Sequence, residues 1–357
     1  MVTARWRVRL KTVLRAHRWW DTQLPVMLAP VYLVIAEADP APSVLEVLRV
    51  LGLFLVASVG IAGFGHLFND LFDVAQDVAS GSPNLAAGRH PVRVAATFAA
   101  VLLLAWIPWR WMPTTPAVWL LLGLELLLFV LYSVPGIRLK ERGVLGPIAD
   151  ALYSWTISTA VALLVFARLC GVEVPGWHSA LLAGWAFVLG LRHILTHQIE
   201  DAGRDQASGM STFVTRLGWM PVFRLLERGL LPAEGATLAA LLAVMGMAAP
   251  IVPIGFVLWV LLVTARERDR AVDPYWARGR DPAVHRLFFL NITLLQRFYT
   301  LWLPLLALLT LVVRHPAFIV LAILHVWLFE NGLSTLVRTD IPDLLRRLHG
   351  PREEAIP

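Results

Sequence analysis

Residues 45–81 read LEVLRVLGLFLVASVGIAGFGHLFNDLFDVAQDVASG, an apolar run that closes on Asn69, Asp70, Asp73 and Asp77. From Val50 to Phe68 no residue carries a full charge. Such a run meets the ~20 apolar residues that a helix needs to cross a bilayer. The carboxylates then arrive together at its far end. That sequence of grease followed by acid decides how the rest of the chain is read.

Working outward, further apolar runs occupy 21–37, 92–111, 116–134, 146–168, 178–198, 232–248, 250–265, 292–313 and 316–332. The last four, counting 232–248 onward, are short or interrupted, so nine or ten spans are expected. Of the 357 residues 58% are hydrophobic and 16% charged. An average soluble domain is nearer a quarter charged, which excludes a pair of soluble domains. The expected fold is all-α: a polytopic membrane protein of nine to ten transmembrane helices, in two pseudo-repeated four-helix halves around a central cavity. Residues 1–20 are expected as a cytoplasmic N-terminal segment, helical and ending in Trp19 and Trp20 at the interface. The membrane domain is expected over 21–335, with a polar cytoplasmic loop at 266–288 and a cytoplasmic tail over 336–357. No small-residue cleavage site follows the first apolar run, so no cleaved signal peptide is expected.

Charge sets the orientation. Lys+Arg total 31 against 25 Asp+Glu, a net charge of +6, and the only lysines are Lys11 and Lys140. The arginines fall in short loops: residues 1–18, 135–144, 199–231 and 266–288, while 38–44 is acidic and 249–253 uncharged. The positive-inside rule then places the N-terminus and the basic loops in the cytoplasm. Read this way, the basic balance reflects topology and a lipid bilayer, and no nucleic-acid partner is expected. Trp106, Trp109, Trp111, Trp177 and Trp219 cluster at span ends and are expected as an interfacial belt. Cys170 is the only cysteine, so there is no internal disulfide and no cysteine-built metal or redox site.

The acidic stretch recurs. Asp73-Val74-Ala75-Gln76-Asp77-Val78-Ala79-Ser80-Gly81 and Asp201-Ala202-Gly203-Arg204-Asp205-Gln206-Ala207-Ser208-Gly209 share the pattern D-x-x-x-D-x-A-S-G, 128 residues apart. Both follow the second helix of a four-helix set, as matched halves of polytopic folds do. Residues i and i+4 share a helix face, so Asp73 points with Asp77 and Asp201 with Asp205. Asn69 lies one turn before the first pair, with Asp70 beside it, and His197 one turn before the second. Five carboxylates facing lipid would cost on the order of 15 kcal/mol, at roughly 2.5–3.5 each. They are therefore expected to face a wet cavity or the cytoplasmic rim. Crowded carboxylates call for cations, and all-oxygen donors select hard ions. Mg²⁺ typically takes one or two carboxylates together with substrate phosphate, so the constellation reads as a Mg²⁺–diphosphate site.

With these motifs the sequence resembles the UbiA superfamily of intramembrane prenyltransferases. The family's N-D-x-x-D-x-x-x-D motif is matched at Asn69, Asp70, Asp73 and Asp77, and its second motif at Asp201, Asp205 and Gly209. Its Tyr-Ser-x-Pro-x-x-Arg-Leu-Lys stretch is matched by Tyr132, Ser133, Pro135, Arg138, Leu139 and Lys140. The resemblance covers about residues 15–265. It implies that Asn69, Asp73, Asp77, Asp201 and Asp205 hold Mg²⁺ and the diphosphate of an allylic prenyl donor. Asp73, Asp77, Asp201 and Asp205 would be the catalytic carboxylates, Asp70 and His197 support. Arg138 and Lys140 would neutralise diphosphate oxygens, and Tyr132 would face the allylic cation. The implied reaction is Mg²⁺-dependent transfer of a prenyl group to a lipophilic acceptor, aromatic or other, with release of diphosphate. The alternative is a cyclase of the same fold that uses no external acceptor. Where the family carries an Asn-Arg-Pro-like segment, this chain has Ser82-Pro83-Asn84-Leu85, and Arg89 comes later. Arg192 and His193 read as interface anchors or phosphate contacts. Asp150 is a candidate to line the cavity, and Glu125 finds no role. A cation-coupled transporter would place its acids at mid-membrane helix breaks. A phosphatidyl transferase would need an Asp-Gly and an Ala-Arg step that are absent.

Overall fold

A computed structural model describes residues 19–268, 289–330, 334 and 337. The expected N-terminal segment, the 266–288 loop and the tail therefore lie outside the described residues, apart from Trp19, Trp20, 266–268 and 337. The described residues are helical, with no strand among them. In chain order the main helices are α1 Leu24–Glu37, α2 Val44–Ser80, α3 Pro91–Trp106, α4 Pro116–Ser133, α5 Leu145–Cys170 and α6 Gly176–Ala207. They continue as α7 Trp219–Ala248, α8 Ile251–Arg268, α9 Leu294–Arg314 and α10 Ile319–Leu328. Seven of them, α2 to α7 and α9, are long and apolar enough to cross a membrane, α3 together with its helical continuation to Trp111, and α1, α8 and α10 are shorter apolar helices.

Position follows from which faces are apolar. Helix α1 is apolar on all sides, and 12 of its 14 residues are buried, so it sits inside the bundle rather than against lipid. It packs on α5 and α9. Helices α3, α4 and α8 instead expose Leu103, Trp119, Leu120, Leu127, Val257, Leu258 and Leu261, a surface that suits hydrocarbon.

Two helices are much longer than a span. Helix α2 has 37 residues and α6 has 32, about 55 and 48 Å at 1.5 Å per residue, against ~30 Å of hydrocarbon. The excess carries both acidic motifs, which are helical throughout. Both helices end in the same way. Gly81 and Gly209 adopt φ of 69° and 70°, the left-handed region that glycine enters at little cost. Just beyond them the Ser82 amide donates to the Asp77 carbonyl and the Met210 amide to the Asp205 carbonyl, both at 2.8 Å. This is a Schellman closure, repeated at the same 128-residue offset as the acids.

Several expectations are corrected. The segment 199–231, read as a loop, is largely helix: α6 runs on to Ala207, Phe213–Leu217 forms a short helix, and α7 starts at Trp219. A π-helical turn at Leu226–Leu230 lies just before Pro232, which falls in the first turn of the α-helical stretch that follows, where its missing amide donor is tolerated. Trp19 and Trp109 are not belt residues, because both are buried in the core, whereas Trp106, Trp111, Trp177 and Trp219 are exposed as expected.

Helices α2 and α3 cross closely at Gly60, where an added Cβ would lie 2.1 Å from the Ala105 backbone nitrogen. Gly60→Ala is expected to cost about 1–3 kcal/mol by overpacking, read as a lower thermal unfolding midpoint in detergent. Gly52→Ala meets nothing within 4 Å and should change stability by less than about 0.5 kcal/mol.

Candidate functional site

The acidic end of α2 and the acidic end of α6 open on one cavity of about 930 Å³. Asn69, Asp73, Asp77, Tyr132, Lys140, His197, Asp201 and Asp205 all line it. Eight of the ten sequence-predicted site residues therefore meet in one place. The other two, Asp70 and Arg138, do not line it.

Asp73 is the hub. Its carboxylate is buried, and one oxygen, Oδ2, accepts from Asn69 Nδ2 at 2.7 Å and from Lys140 Nζ. The other, Oδ1, accepts from Arg138 Nη2 at 3.1 Å. Lys140 Nζ also donates to Asn69 Oδ1 at 2.8 Å, and the Ser133 hydroxyl donates to the same oxygen at 3.1 Å. Burial pushes the Lys140 ammonium below its usual range, and the Asp73 charge pulls the other way. The segment after α4 folds back to deliver these cations. Arg138 itself takes φ of 39°, a strained value for a residue with a side chain. Its guanidinium is held by the Phe72 carbonyl at 3.4 Å, Gln76 Oε1 at 3.0 Å and Glu141 Oε1 at 2.9 Å. Arg138 thus grips Asp73 from outside the cavity, and of the two expected diphosphate cations only Lys140 faces inward.

Asp70 turns away from its neighbours. It is buried, and its Oδ2 accepts the Leu85 amide at 2.8 Å. Asn84 ties the same loop to the motif by donating to Asp77 Oδ2 and to the Asp70 carbonyl, both at 2.8 Å. Asn84 also lines the cavity, as do Arg89 and Arg204. None of the three was singled out as a site residue. The available signal was an asparagine three residues past the capping Gly81, and an arginine inside the second motif.

On α6, Asp201 pairs with Arg204, and His197 Nε2 lies 3.4 Å from Asp201 Oδ2. His193 lines the cavity with its ring 5.4 Å from that of Trp155. Arg192, read as an interface anchor or phosphate contact, is neither. It is buried in an ion pair with Glu234, and Nη2 meets Oε1 at 3.0 Å. Tyr299 donates to Glu234 at 2.9 Å, and Asn291 joins through Arg192 and Thr196. A charge at that depth demands a partner, and here the partner lies on α7.

Beside the acidic mouth the cavity wall is aromatic and hydroxylated. The Tyr132 ring meets that of Tyr153 edge-on at 5.5 Å, and Phe129 lies 4.3 Å from Tyr153. Tyr153 and Ser154 lie on a π-helical turn, Leu152–Ile157, and both reach Asp150. Glu125, which the sequence left without a role, is buried on the cavity wall, and its Oε1 accepts from Ser158 at 2.9 Å.

Among the described residues no three His, Cys, Asp or Glu side chains converge as a ready-made metal centre. The donors presented to the cavity are carboxylate and amide oxygens from two helix ends. That set fits a hard cation that keeps part of its coordination for water and substrate phosphate.

The helices and their charge pattern define a multi-pass membrane protein with an acid-mouthed cavity. A model of the UbiA prenyltransferase family matches residues 24–293, and the chain belongs to that family, whose members are prenyltransferases. A curated relative, lycopene elongase/hydratase from Halobacterium salinarum, is 26% identical over 211 residues, covering 57% of this chain and 69% of its own. Structures of a UbiA homolog from Archaeoglobus fulgidus share the fold. Its form bound to GPP and Mg²⁺ aligns over 86% of this chain and 98% of its own, with a TM-score of 0.55 and 16% identity. The form bound to DMAPP and Mg²⁺ aligns over 85% and 99%, with a TM-score of 0.57 and 15% identity.

Proposed function

We propose that this protein moves a prenyl group from an allylic prenyl diphosphate to a lipophilic acceptor inside the membrane, releasing diphosphate. The observation that carries this reading is that two acidic helix ends, 128 residues apart in sequence, open on one cavity whose inner wall is aromatic and apolar. Solved relatives bound to GPP or DMAPP with Mg²⁺ support the same chemistry.

In this reading Asn69, Asp73, Asp77, Asp201 and Asp205 hold Mg²⁺ and through it the diphosphate. The ion, when bound, supplies positive charge where negative charge develops on the leaving group. Lys140 faces the cavity and meets phosphate oxygens directly, and Arg89 and Arg204 stand at the same mouth. Arg138 acts one step back, orienting Asp73. Asp70 and Asn84 keep the 82–87 loop folded over the mouth, and His197 steadies Asp201. Tyr132 and Tyr153 turn aromatic surface to the allylic cation. The apolar lining keeps water from capturing that cation. The acidic mouth lies at the arginine-rich end of the bundle, so the site is cytoplasmic and the N-terminus lies on the same side.

The test is product analysis by mass spectrometry. Purified protein in lipid is given Mg²⁺ and dimethylallyl, geranyl, farnesyl or geranylgeranyl diphosphate, each with and without a membrane lipid extract as acceptor source. Prenylated product that requires the extract is the expected result. Hydrocarbon or terpene alcohol formed at full rate from the diphosphate alone would make the protein a cyclase instead.

A further inference from the structure

Both the transferase and the cyclase reading leave one proton unaccounted for. Once a double bond or aromatic ring has captured the allylic cation, the positive charge sits on the attacked skeleton. A C–H bond beside it must then break. With water kept out of the chamber, the proton can go only to the departing diphosphate at the mouth or to a carboxylate of the wall.

Asp150 stands where such a base is required. It lines the cavity together with His197, whose charge when protonated reaches it. Its Oδ2 accepts a short hydrogen bond, 2.6 Å, from the Tyr153 hydroxyl. Its Oδ1 has only a long 3.3 Å contact from Ser154, whose hydroxyl also bonds the Asp150 carbonyl at 2.6 Å. Oδ1 is therefore the oxygen left to accept. Tyr153 and Ser154 follow Asp150 by three and four residues, the spacing that puts side chains on one helix face, and both lie on the π-helical turn that begins at Leu152, a kind of turn frequent at functional sites. Level in the fold is fixed by a short chain of contacts. Ser133 reaches Asn69 of the first motif. Its neighbour Tyr132 meets Tyr153 ring to ring, and Tyr153 holds Asp150. Asp150 thus borders the aromatic pair beside the acidic mouth. Glu125, the other carboxyl on this wall, lies eight residues before Ser133 on α4, about 12 Å deeper along the helix.

We propose that Asp150 is the general base that takes the proton shed after capture of the allylic cation, with Tyr153 as its positioning residue. The inference rests on the prenyl chemistry above. The bond between the first prenyl carbon and oxygen breaks, and its electron pair leaves on diphosphate. The π pair of the acceptor, or of the same chain in a cyclisation, forms the new carbon–carbon bond. The neighbouring C–H bond then breaks, its electron pair restores the double bond, and its proton goes to Asp150 Oδ1 and later to solvent.

The test uses the full-length protein in lipid with Mg²⁺ and radiolabelled geranyl diphosphate, with and without the membrane lipid extract. Diphosphate release and product identity are measured in parallel. Asp150→Asn is expected to release diphosphate near the wild-type rate. Its proton-lost product should fall about 100-fold or more, replaced by geraniol and linalool from water capture. Asp150→Glu should restore part of the native product, and Tyr153→Phe should shift the ratio in the same direction as Asp150→Asn but less. An unchanged product ratio in Asp150→Asn overturns the assignment. So does loss of release and product together, which would place Asp150 in ionisation or folding. A wild-type protein that releases no diphosphate from any allylic diphosphate overturns the prenyl reading itself, and this inference with it.

Discussion

Asp73→Ala is expected to abolish Mg²⁺-dependent diphosphate release, with a loss of about 100- to 1,000-fold or more, the scale seen when one preorganised electrostatic group is removed from a reacting site. Asp73 is where the first motif, Lys140 and Arg138 meet, so its removal has two effects. It takes a hard oxygen ligand from the cavity. It also leaves the nearly buried Lys140 ammonium without its counter-charge, whereas Arg138 keeps Glu141. Breaking a buried pair by deleting one partner costs about 3–5 kcal/mol. The two effects are separated by Asp73→Asn. That side chain keeps an oxygen for Lys140, so most of the stability should return. A neutral amide is a weak partner for a divalent ion, so release should stay low. Diphosphate release and thermal unfolding, measured on both variants, give the comparison. An Asp73→Asn protein with full activity would remove Asp73 from the site.

Glu234→Leu carries the second large effect, and it concerns the bundle rather than the chemistry. Arg192 and Glu234 have side-chain exposures of 1% and 0%. They join α6, whose end carries the second motif, to α7, while Tyr299 and Asn291 join both to the segment from 289 onward. Removing the carboxylate strands a guanidinium in an apolar interior. The expected cost is again about 3–5 kcal/mol, visible as a much lower unfolding midpoint and a smaller monodisperse fraction in detergent. The double variant Arg192→Leu/Glu234→Leu should recover at least half of that loss, because no unpaired charge remains. Equal stability of the single variant and the parent would show that the pair is not closed as described.

What the sequence made legible follows from local rules. The i, i+4 spacing put Asp73 with Asp77 and Asp201 with Asp205 on common helix faces. The repeat at 128 residues, together with the glycines that end both copies, put those faces at equivalent helix ends. The apolar runs located the main helices. The rest was written in contacts between distant residues. Arg192 and Glu234 are 42 positions apart, and nothing near either one marks the other, so Arg192 read as an interface anchor. Arg138 and Lys140 belong to one motif, yet the left-handed turn at Arg138 sends one behind Asp73 and the other into the cavity. Periodicity does not report that difference. The π-helical turn at Leu152–Ile157, which carries Tyr153 and Ser154, leaves no mark in a 3.6-residue pattern. Asn84 follows the helix end, where only the loop's path shows that it returns to Asp77.

In the proposed function the two acidic helix ends make one diphosphate site. Equilibrium binding of geranyl thiolodiphosphate, a slowly ionising analogue, to purified protein with and without Mg²⁺ tests it most directly. Tight binding is expected to require Mg²⁺ and to be lost alike in Asp73→Ala, on the first helix, and in Asp201→Ala, on the second. Binding that ignores Mg²⁺, or that survives unchanged in a properly folded Asp201→Ala protein, would contradict it.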